Sequence, residues 1–219
     1  MTTDSIEKLI DSINDGTGND RIYQRPLMDN VNYAKVWTEY PTGESCNEEG
    51  YLFYFINSEG GTCIAAILVM GTVDLHVFVK QEYRRQGIMS RALSNVVLPH
   101  LFLNDRKIQR ATFNSTEGKR LLEKVGFTIL DEKNAEIKKE KVSTVIFPEW
   151  TRIPFSKERM EVMQKRACMA TALLRMVHDE LSTYSREERT EGLGYIIEEC
   201  DTVFVDIEDE WWDCRPKTE

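Results

Sequence analysis

The sequence predicts an α+β protein: a mixed, mostly antiparallel central sheet flanked by helices, followed by a mainly helical C-terminal extension. Three observations carry that prediction. Between Tyr51 and Val79, three apolar runs of strand length follow one another with only turns between them. From Gly87 to Phe147, helical and strand-like stretches alternate, and from Ser156 onward apolar residues recur at helical spacing. The division falls at Pro148, giving a domain over 1–148 and an acidic extension over 149–219.

Asp4-Ser-Ile-Glu7 has the form of a capping box, and Ile6, Leu9, Ile10 and Ile13 share one helical face before Gly16, so a short amphipathic helix opens the chain. Residues 17–50 are polar and interrupted at Pro26 and Pro41, with one strand expected over Tyr33–Glu39. Tyr51–Ile56, a turn over Asn57–Gly61 and Thr62–Met70 form a β-hairpin, and Gly71-Thr72 turns the chain into a third strand, Val73–Val79. Gly87–Asn104 reads as a helix with Ile88, Ala92, Val96 and Val97 inward, kinked or ended early by Pro99. A strand over Ile108–Asn114 and a helix over Glu117–Val125, stopped by Gly126, come next. Phe127–Leu130 and Val142–Phe147 are the last expected strands, on either side of the charged stretch Asp131–Lys141.

In the extension, Met160, Met163, Ala167, Ala170, Leu174, Val177 and Leu181 recur three and four residues apart, a seam on a long helix. Such a seam needs a partner: the preceding sheet, the next helix, or a second copy, giving a homodimer through the Met160–Leu181 helix. Ser185-Arg-Glu-Glu188 is a second capping box, opening a helix that carries Leu193, Ile196 and Ile197. Thr202–Trp212 alternates Val203, Val205 and Ile207 and reads as strand or loop, with Trp211 and Trp212 docked on the chain's own domain or offered as a contact.

Composition removes several function classes. A hydrophobic fraction of 41% and a charged fraction of 30% are ordinary for a globular protein. The longest apolar run, Cys63–Met70, is too short to span a membrane, and no basic segment leads into an apolar one at the start, so neither membrane insertion nor secretion is expected. Cys46, Cys63, Cys168, Cys200 and Cys214 make no CxxC pair, which fits a reducing, cytoplasmic setting, and His76, His100 and His178 are too scattered for a zinc site. The net charge is −9, and from Arg186 to Glu219 twelve acidic residues face four basic ones. That imbalance argues against nucleic acid and favours a basic or amine-bearing partner, or a solvated acidic tail.

The chemistry concentrates in Val77–Leu93, VFVKQEYRRQGIMSRAL: a strand, a short basic loop and a helix start. Such a turn leaves backbone N–H groups unpaired and pointing outward where the helix dipole is positive. Arg84 and Arg85 add full charges, and Gly87 lets a ligand approach the backbone closely. The composite site suits a phosphate.

The segment EYRRQGIM resembles the acyl-CoA loop of the GNAT superfamily of N-acyltransferases, whose pattern is Arg or Gln, two residues, Gly, one residue, then Gly or Ala. Arg84, Gly87 and Met89 fall on those positions, Met89 departing from the small residue expected. Downstream, STEGKRLLEKVGF (Ser115–Phe127) is similar to the family's later helix ending in Glu-Lys-apolar-Gly-Phe. The resemblance covers Tyr51–Phe147. It implies a GNAT-like sheet and acetyl-CoA as acyl donor, held by the main chain of Val77, Phe78 and Val79 and by Arg84, Arg85, Gln86, Gly87, Ile88, Met89 and Ser115. It further implies an amine-bearing acceptor, either a small molecule, a peptide or a protein. Asp74 and His76, beside the phosphate-loop strand and on the face opposite Leu75 and Val77, are the positional candidates for a base or water-positioning group. The tyrosine that many members use as acid is replaced by Leu122, and the usual Asn is Ser115. Two functions are therefore expected: an N-acetyltransferase, or a non-catalytic protein of the same fold that binds a partner through its acidic C-terminal segment.

Overall fold

The computed structural model describes residues 1–17, 20–45, 48–149, 151–184 and 191–215; Cys46 and the Ser185–Glu188 capping box lie outside them. The fold is α+β, and the chain divides into two compact units, Met1–Pro148 and Glu149–Glu219.

The first unit is built on an antiparallel five-stranded sheet in the order β1 (Ile22–Met28), β2 (Val31–Val36), β3 (Tyr51–Asn57), β4 (Cys63–Met70) and β5 (Asp74–Val79). Helix α1 (Thr3–Asn14) covers one face, where Ile6 and Ile10 pack with Phe53, Phe55, Leu68 and Phe78. Its N-cap is Thr2, whose Oγ1 accepts the Ser5 N–H at 3.2 Å, rather than the expected Asp4. A Thr–Ser pair one turn apart takes the cap first, leaving Asp4 to complement the dipole from inside the helix. At its other end the Asn14 amide both donates to and accepts from the Cys63 backbone, at 3.0 and 2.8 Å, tying the helix to the start of β4.

Residues 17–50 hold more strand than expected. Asp29 and Asn30 both have positive φ, 51° and 60°, and Met28 pairs with Val31, which is a two-residue hairpin turn joining β1 to β2. Pro26 is tolerated because β1 is an edge strand, and a register shift follows it.

The opposite face of the sheet carries α2 (Ile88–Ala92), a π-helical turn (Leu93–Val97) and α3 (Leu98–Leu101), followed by α4 (Thr116–Val125). Leu93, Val96 and Val97 reach 0% exposure against Tyr54, Ile56 and Ile67. Pro99 has no N–H and its ring crowds the carbonyl four residues back; the widened turn, in which the Leu98 N–H bonds Leu93 O, absorbs that conflict without a break. Ser115 caps α4 by accepting the Gly118 N–H at 3.0 Å, and Gly126, at φ 102°, ends it with the Phe127 N–H bonded to Leu122 O.

A second sheet has the order β6 (Ile108–Thr112), β8 (Asn134–Lys138), β7 (Thr128–Ile129). The last strand thus falls inside the charged stretch, and Val142–Phe147 is not a strand. Alternation decides it: Ala135 and Ile137 are buried between the polar or charged Asn134, Glu136 and Lys138, and the Asp131 carboxylate accepts the Lys133 and Asn134 N–H groups to make the turn. Val142 and Phe147 pack on the core as irregular chain, while Ile146 is 93% exposed.

The second unit is an αα-hairpin of α5 (Lys157–Tyr184) and α6 (Glu191–Cys214). Thr202–Trp212 is helical, not strand or loop. Leu193, Ile197, Cys200, Phe204, Ile207, Trp211 and Cys214 recur at four and three residues, and that period outweighs the short Val203-Val205-Ile207 alternation. No helix among the described residues is long and apolar enough to cross a membrane.

Candidate functional site

The strand β5 has one partner along its length, β4, and its second edge faces β6. The Lys80 N–H bonds Ile64 O at 3.0 Å, which fixes the parity. Even-numbered residues of β5 direct their main chain to β4, and Leu75, Val77 and Val79 direct theirs to the open edge. Two links close that edge at its beginning. Arg110 N–H bonds Thr72 O at 2.9 Å, and the Thr112 N–H bonds Asp74 Oδ1 at 2.7 Å. The offset of two residues on both strands shows that β5 and β6 run parallel. The second link uses a side chain in place of a strand carbonyl, so the strands separate from there onward and leave a wedge.

Inside the wedge the Leu75 N–H is taken by Asp74 Oδ1 at 2.9 Å and Val79 O by Arg84 Nε at 3.0 Å. The Val77 N–H and C=O and the Val79 N–H have no partner among the described residues. Asp74 is the hinge of this arrangement: its carboxylate also accepts the Thr112 hydroxyl at 3.1 Å, and Gln109, 0% exposed, reaches the Asp74 carbonyl with its side-chain amide at 3.4 Å.

The wedge opens onto the loop. A 3-10 turn over Gln81–Tyr83 follows Lys80, whose ammonium bonds Asp11 at 2.7 Å and anchors the loop to α1; that bond raises the lysine pKa. Arg85 (φ 64°) and Gly87 (φ 73°) are both left-handed, which turns successive N–H groups outward into a nest. Those of Arg85, Gln86, Gly87, Ile88, Met89 and Ser90 have no acceptor among the described residues. The Ser90 hydroxyl and the Arg91 N–H both bond Gly87 O at 3.0 Å, fixing the helix start, and Arg91 Nη1 bonds Gln86 O at 3.2 Å. Arg84 and Arg85 are exposed beside this concavity.

The sequence-predicted residues therefore divide. Val77 and Val79 present main chain to the wedge, whereas Phe78 faces α1 and bonds toward β4. Arg84 to Met89 form the loop and the first helical turn, with Met89 buried in the core. Ser115 caps α4. Asp74 and His76 share a strand but have different surroundings: the Asp74 carboxylate is engaged by Thr112 and Leu75, and the half-buried His76 side chain has no hydrogen-bond partner among the described residues. Leu122 is 5% exposed within the core.

Sequence reasoning did not anticipate Thr112, whose contact with Asp74 spans 38 residues and leaves no local pattern. It also missed the pair Tyr54–His100. The fully buried Tyr54 hydroxyl lies 2.7 Å from His100 Nδ1, enclosed by Tyr33 and Phe147. Burial raises the tyrosine pKa and lowers that of the histidine, so both are neutral at physiological pH. They act as a packed polar pair. Comparison with family models, with curated proteins and with solved structures found no match to this chain.

Proposed function

We propose that this chain is a GNAT-type N-acetyltransferase that moves an acetyl group from acetyl-CoA to an amine. The observation that carries the reading is the wedge: unpaired main chain at Val77 and Val79 leads directly into six unbonded N–H groups at Arg85–Ser90. Its chemistry suits an extended amide-bearing chain that ends in a pyrophosphate. The free edge of β5 offers the N–H and C=O of Val77 and the N–H of Val79, donors and acceptor that an amide chain can pair with. The left-handed loop offers convergent N–H donors, and Arg84 and Arg85 offset the phosphate charge. Bound there, the donor supplies a thioester carbonyl to the incoming amine.

The chain's own residues must then orient the two reactants and manage a proton. A lysine-like amine with pKa near 10.4 is neutral in roughly one molecule in a few thousand at pH 7, a cost of about 4–5 kcal/mol. Orientation in the wedge supplies the larger offset, and a base adds ~10²–10⁴-fold. Of the two candidates, His76 keeps an unengaged imidazole and Asp74 does not. The reading therefore gives His76 the base or water-positioning role and gives Asp74 the holding of the wedge.

Thermal unfolding with acetyl-CoA tests this. A rise in Tm that Gly87→Glu abolishes is the expected outcome; no rise at saturating donor sinks the proposal. One observation favours a second reading, a non-catalytic protein of this fold that binds a basic partner through its acidic C-terminal segment. Leu122, buried and apolar, supplies no proton donor where the resembled family has tyrosine. Acetyl-CoA binding without transfer to any member of an amine panel would select it.

A further inference from the structure

We propose that the outer face of α5 is a self-association surface, on which two copies of the chain pack antiparallel through Val162, Met169, Leu173 and Met176.

Helix α5 has two opposed faces. Met160, Gln164, Ala167, Thr171, Leu174 and His178, four and three residues apart, are buried or half-buried and form its seam toward α6, with Arg159, Met163 and Arg166 half-buried at its flanks. The seam expected from the sequence is thereby split, since Ala170, Val177 and Leu181 lie outside it and are exposed. At 100° per residue, Val162, Met169, Leu173 and Met176 stand on the opposite side of the helix. They are 39%, 58%, 54% and 67% exposed. Met169, Leu173 and Met176 adjoin one another on that face, with Val162 beyond Lys165 and Arg166, and an exposed apolar patch rimmed by charge on a helix surface marks a contact.

Charge selects a second copy as the occupant. Helix α6 carries nine acidic residues and no lysine or arginine, so a two-fold contact through α6 opposes like charges. Helix α5 carries five basic and four acidic residues, and two of each are placed symmetrically about one point. Met169 and Met176, Lys165 and Glu180, and Arg166 and Asp179 are each equidistant from the point between Ala172 and Leu173. A two-fold axis at that point sets each methionine against the other copy's partner methionine and brings the basic pair level with the acidic pair at both ends. A parallel arrangement would oppose Lys165 to Lys165 and Glu180 to Glu180. Self-complementarity about a point is the condition an isologous dimer must meet. The result is a four-helix assembly with α5 helices inside and acidic α6 helices outside.

Sedimentation velocity on the full chain over about 1–100 µM tests it, with circular dichroism as the folding control. The expected result is a dimer that Leu173→Glu converts to monomer without loss of helicity, since Leu173 is exposed in the single chain. Lys165→Glu should weaken the dimer about tenfold, and Lys165→Glu combined with Glu180→Lys should restore it, because the pair acts across the axis. A chain that is monomeric throughout overturns the proposal. So does a dimer indifferent to Leu173→Glu, or a double variant no tighter than Lys165→Glu alone.

Discussion

Replacing Asp74 separates two roles that sequence position alone leaves joined. As the hinge of the wedge, its carboxylate accepts from the Leu75 N–H, the Thr112 N–H and the Thr112 hydroxyl at 2.9, 2.7 and 3.1 Å. Hydrogen bonds to a charged acceptor contribute about 1.5–3 kcal/mol when buried and less where water competes. Thr112 is exposed, so about 2 kcal/mol for the whole cluster is the reasonable figure. Asp74→Ala should then lower the ligand-free Tm by about 4–8 °C for a chain of this size. Asp74→Asn retains a carbonyl oxygen for the two N–H groups, and the hydroxyl can rotate to accept from its amide, so the loss should stay below about 1 kcal/mol. A general base behaves in the opposite way: the amide cannot take a proton, and turnover falls ~10²–10⁴-fold with Tm unchanged. Scanning calorimetry without ligand, paired with turnover on the best amine of a panel, reads both. An Asp74→Ala chain melting within a degree of the parent refutes the hinge.

Two further outcomes follow from burial. Because burial holds His100 below its ordinary 6.5, the unfolded chain takes up the proton first, and stability should fall as pH drops below about 6.5. Urea unfolding at pH 7.5 and 5.5 should show a smaller pH dependence for His100→Asn; an identical slope would remove His100 as the source. The Cys63 thiol is pushed up to about 12 by burial, while Cys168 is exposed. Iodoacetamide at pH 8 should label Cys168 in the native protein and Cys63 only after unfolding, as peptide mass spectrometry would report.

What could be read from the sequence depended on how far apart the decisive contacts lie. The hairpin of β3 and β4 was legible because apolar side chains fill both faces over eight consecutive residues of β4, and α4 because Ser115 and Gly126 mark its two ends. Strand β1 was not. Its turn, Asp29-Asn30, lacks a glycine, and its exposed positions and Pro26 imitate a loop. Strand β8 buries two side chains between polar and charged ones, which is enough only because β6 and β7 flank it. The exposed arginines and glycine of Arg84–Gly87, between a strand and a helix start, were legible as a local turn. The wedge beside it was not, since it depends on Asp74 meeting Thr112 across an intervening helix, and no periodicity encodes that meeting.

The loop and the wedge are nevertheless one construction. Strands joined by a helical crossover would ordinarily zip along their length, since each unpaired main-chain group that leaves water has a cost. Here zipping stops at Asp74, because its carboxylate occupies the Thr112 N–H that a strand carbonyl would otherwise take. Beyond Leu75, whose N–H Asp74 itself takes, Val77 keeps its outer groups free and Val79 its N–H, the Val79 carbonyl being claimed by Arg84 from the loop itself. That same arginine contact fixes where the chain leaves the sheet, and so where the N–H groups of Arg85 to Ser90 point. A change at Asp74 that let the strands close would remove the free edge first and displace the loop second. Loss of donor binding in Asp74→Ala would thus accompany the fall in Tm, whereas a defect confined to Arg85 or Gly87 would leave the stability of the strands untouched.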